Sequence, residues 1–239
     1  MQGFYETLFG RRDVRSEFID TPIPPDLLAR LLIAAHHAPS VGLSQPWNFI
    51  VVQAPAVKAA VHEAFREANA EAAALFDGER QRRYRQLKLQ GILDAPVNLC
   101  ITCDRPRGGP VVLGRTHQRE MDIYSTVCAV QNLWLAARAE GVGVGWVSIL
   151  SAAKLSSILQ LPEQVVPIAY LCLGFVAHFR QQPELEDNGW ARRVPVAELV
   201  FTDCWGKQQA DHAVYAALDA QREWPRQVLE QKDRAVKEV

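Results

Sequence analysis

The chain has 239 residues, of which 49% are hydrophobic and 22% are charged, a composition typical of a globular protein with a sizeable core. Its 26 basic and 27 acidic residues leave a formal net charge of −1, so no overall field attracts nucleic acid or an anionic membrane. The N-terminus holds no apolar run of signal-peptide length, and the longest apolar stretch (165–177) is shorter than the roughly 20 residues of a membrane span. We therefore expect a cytoplasmic protein that binds neither nucleic acid nor a membrane.

Hydrophobic periodicity predicts helices alternating with four short strands. The predicted helices cover 24–38, 57–89 (one or two helices) and 117–140, and the predicted strands cover 47–53, 97–103, 142–150 and 166–175. We expect an α+β fold in which helices surround a central mixed β-sheet. The domain is predicted to span residues 1–205, and a polar helical tail is predicted for residues 206–239.

Two of these predicted helices have unusual surfaces. The helix at 117–140 is apolar on more than one side, which indicates burial all round or a subunit interface. The stretch from Arg80 to Lys88 is strongly basic. It is interpreted either as a lid over a site or as a solvated helix face.

Two motifs suggest chemistry that their context does not support. Cys100 and Cys103 form a C-x-x-C inside a predicted strand, where positions i and i+3 point to opposite faces, and no second pair completes a zinc site. We therefore predict buried structural thiols and no metal. GVGVG (141–145) closes a helix and opens a strand, whereas a dinucleotide-binding fingerprint follows a strand and opens a helix.

Three further segments carry charged or polar residues in patterns that suit a ligand. RRDVR (11–15) sets Asp13 among three arginines, and Arg192-Arg193 precedes an apolar segment. HHAPSVGLSQPWNF (36–49) is a Ser/Gly loop that ends in Gln-Pro-Trp at the head of a strand, and it exposes hydrogen-bonding groups that suit a flat heterocycle. Each segment alone also has a plain interpretation, as a solvated charge run, a solvated pair or an ordinary helix–strand connection.

Together, and in this order, the three segments resemble the nitroreductase-like flavoprotein family over roughly residues 4 to 205. The resemblance implies a homodimer with FMN at the subunit interface, its phosphate held by Arg11, Arg15 and Arg193. Guanidinium suits that task because its planar fork holds phosphate oxygens and keeps its charge. The flavin-binding residues expected from the resemblance are Arg11, Arg12, Asp13, Val14, Arg15, Ser40, Leu43, Gln45, Ser148 and Arg193.

The sequence departs from the family's general pattern at informative positions. Asp13 stands where the family usually has Ser, Leu43 where it has Asn, and Ala191 where a Lys often precedes the late arginine. With the GWVS segment that ends at Ser148, these departures resemble one branch of the family. In that branch reduced FMN is not a reusable cofactor but a substrate, which O2 fragments to a benzimidazole.

The branch implies a catalytic pair of Asp13 and Ser148. A carboxylate is a poor phosphate ligand, but arginines could hold Asp13 ionised while it acts as general acid or base on the ribityl chain. Ser148 is expected at the flavin edge where O2 reacts. A separate flavin reductase is expected to supply FMNH2.

Two alternatives remain open at this point. The first is an FMN-dependent reductase that oxidises NAD(P)H and reduces nitro or quinone compounds with its flavin unchanged. The second is a flavin-binding or storage module without turnover, which binds FMN tightly and forms no product.

Overall fold

The structure is a computed structural model that describes the backbone of residues 2–209 and 212–237 and the side chains of residues 3–209 and 212–231. The chain forms two compact units, one comprising Met1–Arg11 with Gln181–Val239 and the other comprising Arg12–Arg180. The predicted division at residue 205 falls inside the first unit and stays a prediction.

The second unit is built on a four-stranded sheet. Its strands are β1 (Trp47–Val52), β2 (Val97–Asp104), β3 (Val142–Val147) and β4 (Val165–Phe175). They lie in the order β1-β2-β4-β3, and all three ladders are antiparallel. The mixed character expected from the sequence is confined to one isolated parallel bridge, between Asp13 and Val144 of β3.

Helices of the second unit pack on both faces of this sheet, so the predicted α+β fold is confirmed. They are α2 (Pro25–His36), α3 (Pro55–Ala74), α4 (Gly78–Gln86), α5 (Met121–Ala139) and α6 (Ala152–Ile158). The helices of the first unit are α1 (Gln2–Gly10), α7 (Glu184–Asp187), α8 (Ala213–Ala220) and α9 (Trp224–Lys237). The basic stretch around Arg80 to Lys88 covers most of α4 and the residues directly after it. The α5 helix ends as predicted before Gly141, which has a positive φ of 77°.

The sheet separates two apolar cores because successive strand residues point to opposite faces. On one face, Leu99, Leu171 and Leu173 pack with residues of α2 and α5. On the other face, Cys100, Tyr170 and Cys172 pack with residues of α3 and α6. Cys100 and Cys103 are both buried free thiols in β2, as the sequence predicts.

The first unit has an aromatic cluster of its own. Trp224 of α9 makes edge-on contacts with Tyr5 and Phe9 of α1, at ring-centroid distances of 4.7 and 5.0 Å. Part of the predicted tail is therefore packed against the first helix of the chain.

Among the described residues, no helix is both long and apolar enough to cross a bilayer. The same part of the chain contains no cluster of three or more His, Cys, Asp or Glu side chains arranged to hold a metal ion.

Candidate active site

The RRDVR segment lies along the outer edge of β3. Asp13 forms its parallel bridge with Val144, and the backbone N–H of Val14 donates to the carbonyl of Val144 at 3.0 Å. Val14 is buried, with 3% of its surface exposed. The segment therefore acts as a short additional strand, which fixes the position of Asp13.

Two glycines of the GVGVG motif make this contact sterically possible. A Cβ at Gly145 would lie 2.1 Å from the carbonyl oxygen of Val14, and one at Gly143 would lie 2.4 Å from the side chain of Val176. No side chain fits at these distances. Gly145 thus allows the backbone of Val14 to pack closely against β3 beside Asp13, and Gly143 makes room for the side chain of Val176. The mismatch between GVGVG and a dinucleotide-binding fingerprint does not reveal these roles.

The carboxylate of Asp13 is held at both oxygens. Oδ1 accepts from the backbone N–H of Trp146 at 2.9 Å. Oδ2 accepts from Nε and Nη2 of Arg15 at 2.8 and 2.6 Å. These three hydrogen bonds hold the carboxylate of Asp13 in a defined orientation beside β3.

Ser148, the other predicted catalytic residue, lies just beyond the end of β3 and is exposed. It follows Trp146, whose amide binds Asp13, by two positions. The two predicted catalytic residues are thus both positioned by the same edge strand.

A buried thiol lies beneath the Asp13 segment. Cys172 is the β4 partner of Gly145. Burial raises the pKa of Cys172 to about 12, and the negative charge of Asp13 acts in the same direction, while Lys58 opposes it. The thiol therefore stays protonated at neutral pH and is not a candidate nucleophile.

The second predicted group lies in the loop before β1. Leu43 and Gln45 adopt positive φ values of 51° and 45°, and the Leu43 side chain is 77% exposed. The hydroxyl of Ser40 accepts from the backbone N–H of Gln45 at 3.0 Å. The backbone N–H of Val41 in turn donates to the Ser125 hydroxyl of α5 at 3.0 Å. The loop is therefore held in an unusual conformation that keeps its apex exposed.

Arg107 braces this loop, a role that the sequence did not indicate. Its Nη1 atom donates to the carbonyls of Gln45 and Trp47 at 2.9 and 2.8 Å, and its Nη2 atom donates to the side-chain oxygen of Asn48. The Trp47 indole N–H donates to Nδ1 of His36 at 3.1 Å. These residues line an open pocket of about 610 Å³.

The two predicted groups lie at opposite edges of the sheet. Trp47 is in register with Val166 of β4 through Cys103, whereas Asp13 is in register with Leu173 through Val144. With about 3.3 Å per residue along a strand and about 4.8 Å between strands, the two groups are on the order of 30 Å apart. One chain therefore does not bring the Gln45 loop and the Asp13 carboxylate to the same flavin ring.

The remaining predicted residues are placed as follows. Arg12 belongs to the second unit, where its carbonyl accepts from the indole N–H of Trp134 at 3.2 Å. Arg11 and Arg193 belong to the first unit. Their role as phosphate ligands stays a prediction from the sequence.

This chain is similar in sequence and in fold to known proteins. The model of the Nitroreductase family matches residues 8–175. A 5,6-dimethylbenzimidazole synthase from Rhodospirillum rubrum is 44% identical over 77% of this chain and 87% of its own length. Another from Rhodobacter capsulatus is 38% identical over 80% and 91%. A crystal structure of a BluB-like flavoprotein from Clostridium difficile 630 is 20% identical, covers 83% of this chain and 98% of its own, and has a TM-score of 0.63. With a family model that matches from the RRDVR segment to the end of β4, the chain belongs to the Nitroreductase family.

Proposed function

We propose that this chain is a 5,6-dimethylbenzimidazole synthase. Its substrates are reduced FMN and O2, and its products include 5,6-dimethylbenzimidazole, the lower ligand of cobalamin, and erythrose 4-phosphate. The pyrimidine part of the flavin leaves as a further product. A separate flavin reductase that supplies FMNH2 and a cytoplasmic location are parts of the proposal.

The observation that carries the proposal is the carboxylate of Asp13, which is held in a fixed orientation beside β3. A reductase that only passes electrons has no need of a proton acceptor held between a backbone amide and a guanidinium. Fragmentation of a flavin, in contrast, requires protons to be removed from the ribityl chain and the ring. The similarity to two synthases at 44% and 38% identity supports the same assignment.

The described residues suit a flavin in two respects. The loop before β1 exposes Leu43 and backbone groups to a planar ligand. The Asp13 segment at the edge of β3 supplies an oriented acceptor, and the exposed Ser148, just beyond the end of β3, supplies a hydroxyl for a further hydrogen bond. Reduced flavin bound there supplies the electrons with which O2 reacts, while Asp13 accepts and returns protons at the ribityl chain.

The proposal includes a homodimer, because the two residue groups lie at opposite edges of one chain's sheet. A second copy provides the Gln45 loop for the flavin that the first copy holds beside Asp13. The exposed side chains of Tyr124 (55%) and Val127 (38%) on α5 support an interface on that helix.

The test is mass spectrometry of the small molecules formed when the purified protein is incubated in air with FMN, NADH and a separate flavin reductase. Wild-type protein is expected to form 5,6-dimethylbenzimidazole. Asp13→Asn is expected to lose at least about 100-fold in rate, because it keeps the shape of the side chain but removes the proton acceptor.

Asp26→Asn is the matched control, since Asp26 is an exposed carboxylate that is also paired with an arginine. Intact FMN, together with NADH oxidised by this protein alone, would identify an NAD(P)H-dependent reductase instead. Tight FMN binding without any product would identify a flavin-binding module.

A further inference from the structure

Arg15 has acceptors within the protein for all three of its side-chain nitrogens. Nε and Nη2 donate to the same oxygen of Asp13, at 2.8 and 2.6 Å. Nη1 donates to the backbone carbonyl of Lys88 at 3.4 Å. Three of the five guanidinium N–H groups therefore donate to one carboxylate oxygen and one carbonyl.

Burial also makes Arg15 less accessible to a second anion. The side chain of Arg15 is 14% exposed, whereas that of Asp13 is 28% exposed. A phosphate bound to Arg15 would lie beside the Asp13 carboxylate, and the two anions would repel each other. Arg15 is thus a poor site for a second anion.

We propose that Arg15 is a positioning residue for Asp13 and does not hold the phosphate of FMN. This inference rests on the proposed function and deepens it. Arg15 binds one carboxylate oxygen and the Trp146 amide binds the other, so the two contacts together fix the orientation of the carboxylate beside β3. Phosphate binding is left to other cations, for which the sequence predicts Arg11 and Arg193.

The segment after α4 also contacts Arg15. Besides the Lys88 carbonyl, this segment contributes Gly91, at which a Cβ would lie 2.6 Å from the ring of Phe18 and 3.2 Å from the carbonyl oxygen of Arg15. The next residue, Ile92, is held in turn by the side-chain amide of Asn98, which donates to its carbonyl at 2.9 Å. The position of Asp13 therefore depends on a backbone segment that is distant in sequence.

The first test compares the binding of oxidised FMN and of riboflavin, which lacks the phosphate, by quenching of flavin fluorescence. Arg15→Gln is expected to retain the wild-type preference for FMN over riboflavin. Loss of a charge-assisted contact to the phosphate would instead reduce that preference by roughly 10- to 100-fold. Such a loss in Arg15→Gln, with riboflavin binding unchanged, would overturn the inference.

Arg66→Gln is the control for this comparison, since it removes an exposed arginine that also pairs with a carboxylate, that of Glu63 on α3. The control is expected to bind both flavins as wild type does.

The second test measures product formation with FMNH2. Arg15→Gln is expected to lower kcat by about 100-fold, because Asp13 loses its orientation. KM is expected to change little, because the residues that bind the phosphate of FMN are unchanged. Arg15→Lys is expected to recover part of kcat, since it restores the charge without the planar fork. The Asp13→Asn, Arg15→Gln double variant should be no slower than Asp13→Asn. A wild-type kcat in Arg15→Gln would overturn the inference.

Failure of the proposed function has a different signature, namely the absence of product from the wild-type protein. In that event the inference is decided by a double-mutant cycle for Asp13→Asn and Arg15→Gln on the free energy of unfolding. A coupling that is clearly different from zero supports the pairing, and a coupling of zero overturns it.

Discussion

Gly145 determines whether the Asp13 segment can lie against β3. The carbonyl oxygen of Val14 occupies the space that a Cβ at this position would need, 2.1 Å from its expected place. Both the Val14–Val144 hydrogen bond and the contact from Asp13 to the Trp146 amide depend on that approach. The absence of one side chain therefore has a direct effect on the orientation of the proposed catalytic carboxylate.

We predict that Gly145→Ala displaces the Asp13 segment. The overpacking is expected to lower the free energy of unfolding by about 1–3 kcal/mol, measured by urea denaturation. Product formation is expected to fall by at least about 100-fold, because Asp13 loses its orientation. Gly3→Ala is the control, since a Cβ at Gly3 of α1 meets no atom within 4 Å. A Gly145→Ala enzyme with wild-type stability and activity would contradict the close packing at this position.

The sequence predicts part of this site and leaves part of it unseen. Asp13 stands out because a carboxylate among arginines is poorly explained as a phosphate ligand. The carboxylate binds the backbone amide of Trp146, which is 133 positions away. Every residue except proline has such an amide, so the sequence does not indicate this contact. The glycines of β3 are conspicuous in the sequence, but their role follows only from the segment that packs against them.

A guanidinium from the segment that follows β2 adds hydrogen bonds to the loop before β1. Arg107 contacts the carbonyls of Gln45 and Trp47 on either side of Pro46, which has no N–H of its own to donate. Gln45 has a positive φ, a conformation that costs a non-glycine residue free energy. Arg107 therefore stabilises the conformation that presents the loop to a flavin.

We predict that Arg107→Ala weakens the binding of oxidised FMN by roughly 10-fold, because the loop relaxes from its strained conformation. Arg107→Lys should be intermediate, since lysine supplies a charge but not a fork of donors. The measurement is a fluorescence titration with FMN. Arg66→Ala, which removes an exposed arginine paired with Glu63 on α3, should bind FMN as wild type does. Equal FMN affinity in Arg107→Ala and wild type would show that the Arg107 contacts do not contribute to the flavin-binding conformation of the loop.

Element boundaries show the same limit of sequence reasoning. Apolar periodicity predicts a helix from residue 117, but α5 begins at Met121. The carbonyl of Arg119 accepts from the side chains of Arg105 and Arg115, so it is held by side-chain donors. Both arginines also pair with the buried carboxylate of Asp122. Periodicity carries no information about such side-chain contacts, whereas the strands, which are set by apolar runs, are predicted to within a few residues.

At the scale of the whole molecule, the strand order places the two halves of the proposed site far apart. The Gln45 loop precedes β1 at one edge of the sheet, and Asp13 lies outside β3 at the other. The sequence order of the motifs does not reveal this separation, because it depends on which strands pair. Under the proposed function, a complete site takes one group from each of two copies, which we expect to be related by the two-fold symmetry that most homodimers adopt.

We predict that two inactive variants restore activity to each other when they are combined in one dimer. Asp13→Asn removes the carboxylate, and a Leu43→Glu, Gln45→Ala variant disables the exposed loop. In a mixed dimer, one site combines the substituted residue 13 of one chain with the substituted loop of the other chain. The second site combines the intact Asp13 with the intact loop. Doubly tagged mixed dimers, purified after co-expression, should therefore form 5,6-dimethylbenzimidazole at about half the wild-type rate.

The control is a chain that carries all three substitutions, co-expressed with Asp13→Asn in the same way. In that mixed dimer both sites lack the carboxylate, so it should be inactive whatever the assignment of the loop. Activity in the first mixture and none in the control requires that Asp13 and the Gln45 loop of one site come from different chains. If each chain instead held a complete site, both mixtures would be inactive, since each chain would carry its own defect. Stable mixed dimers without activity would thus contradict the shared site, even where each variant alone still binds FMN.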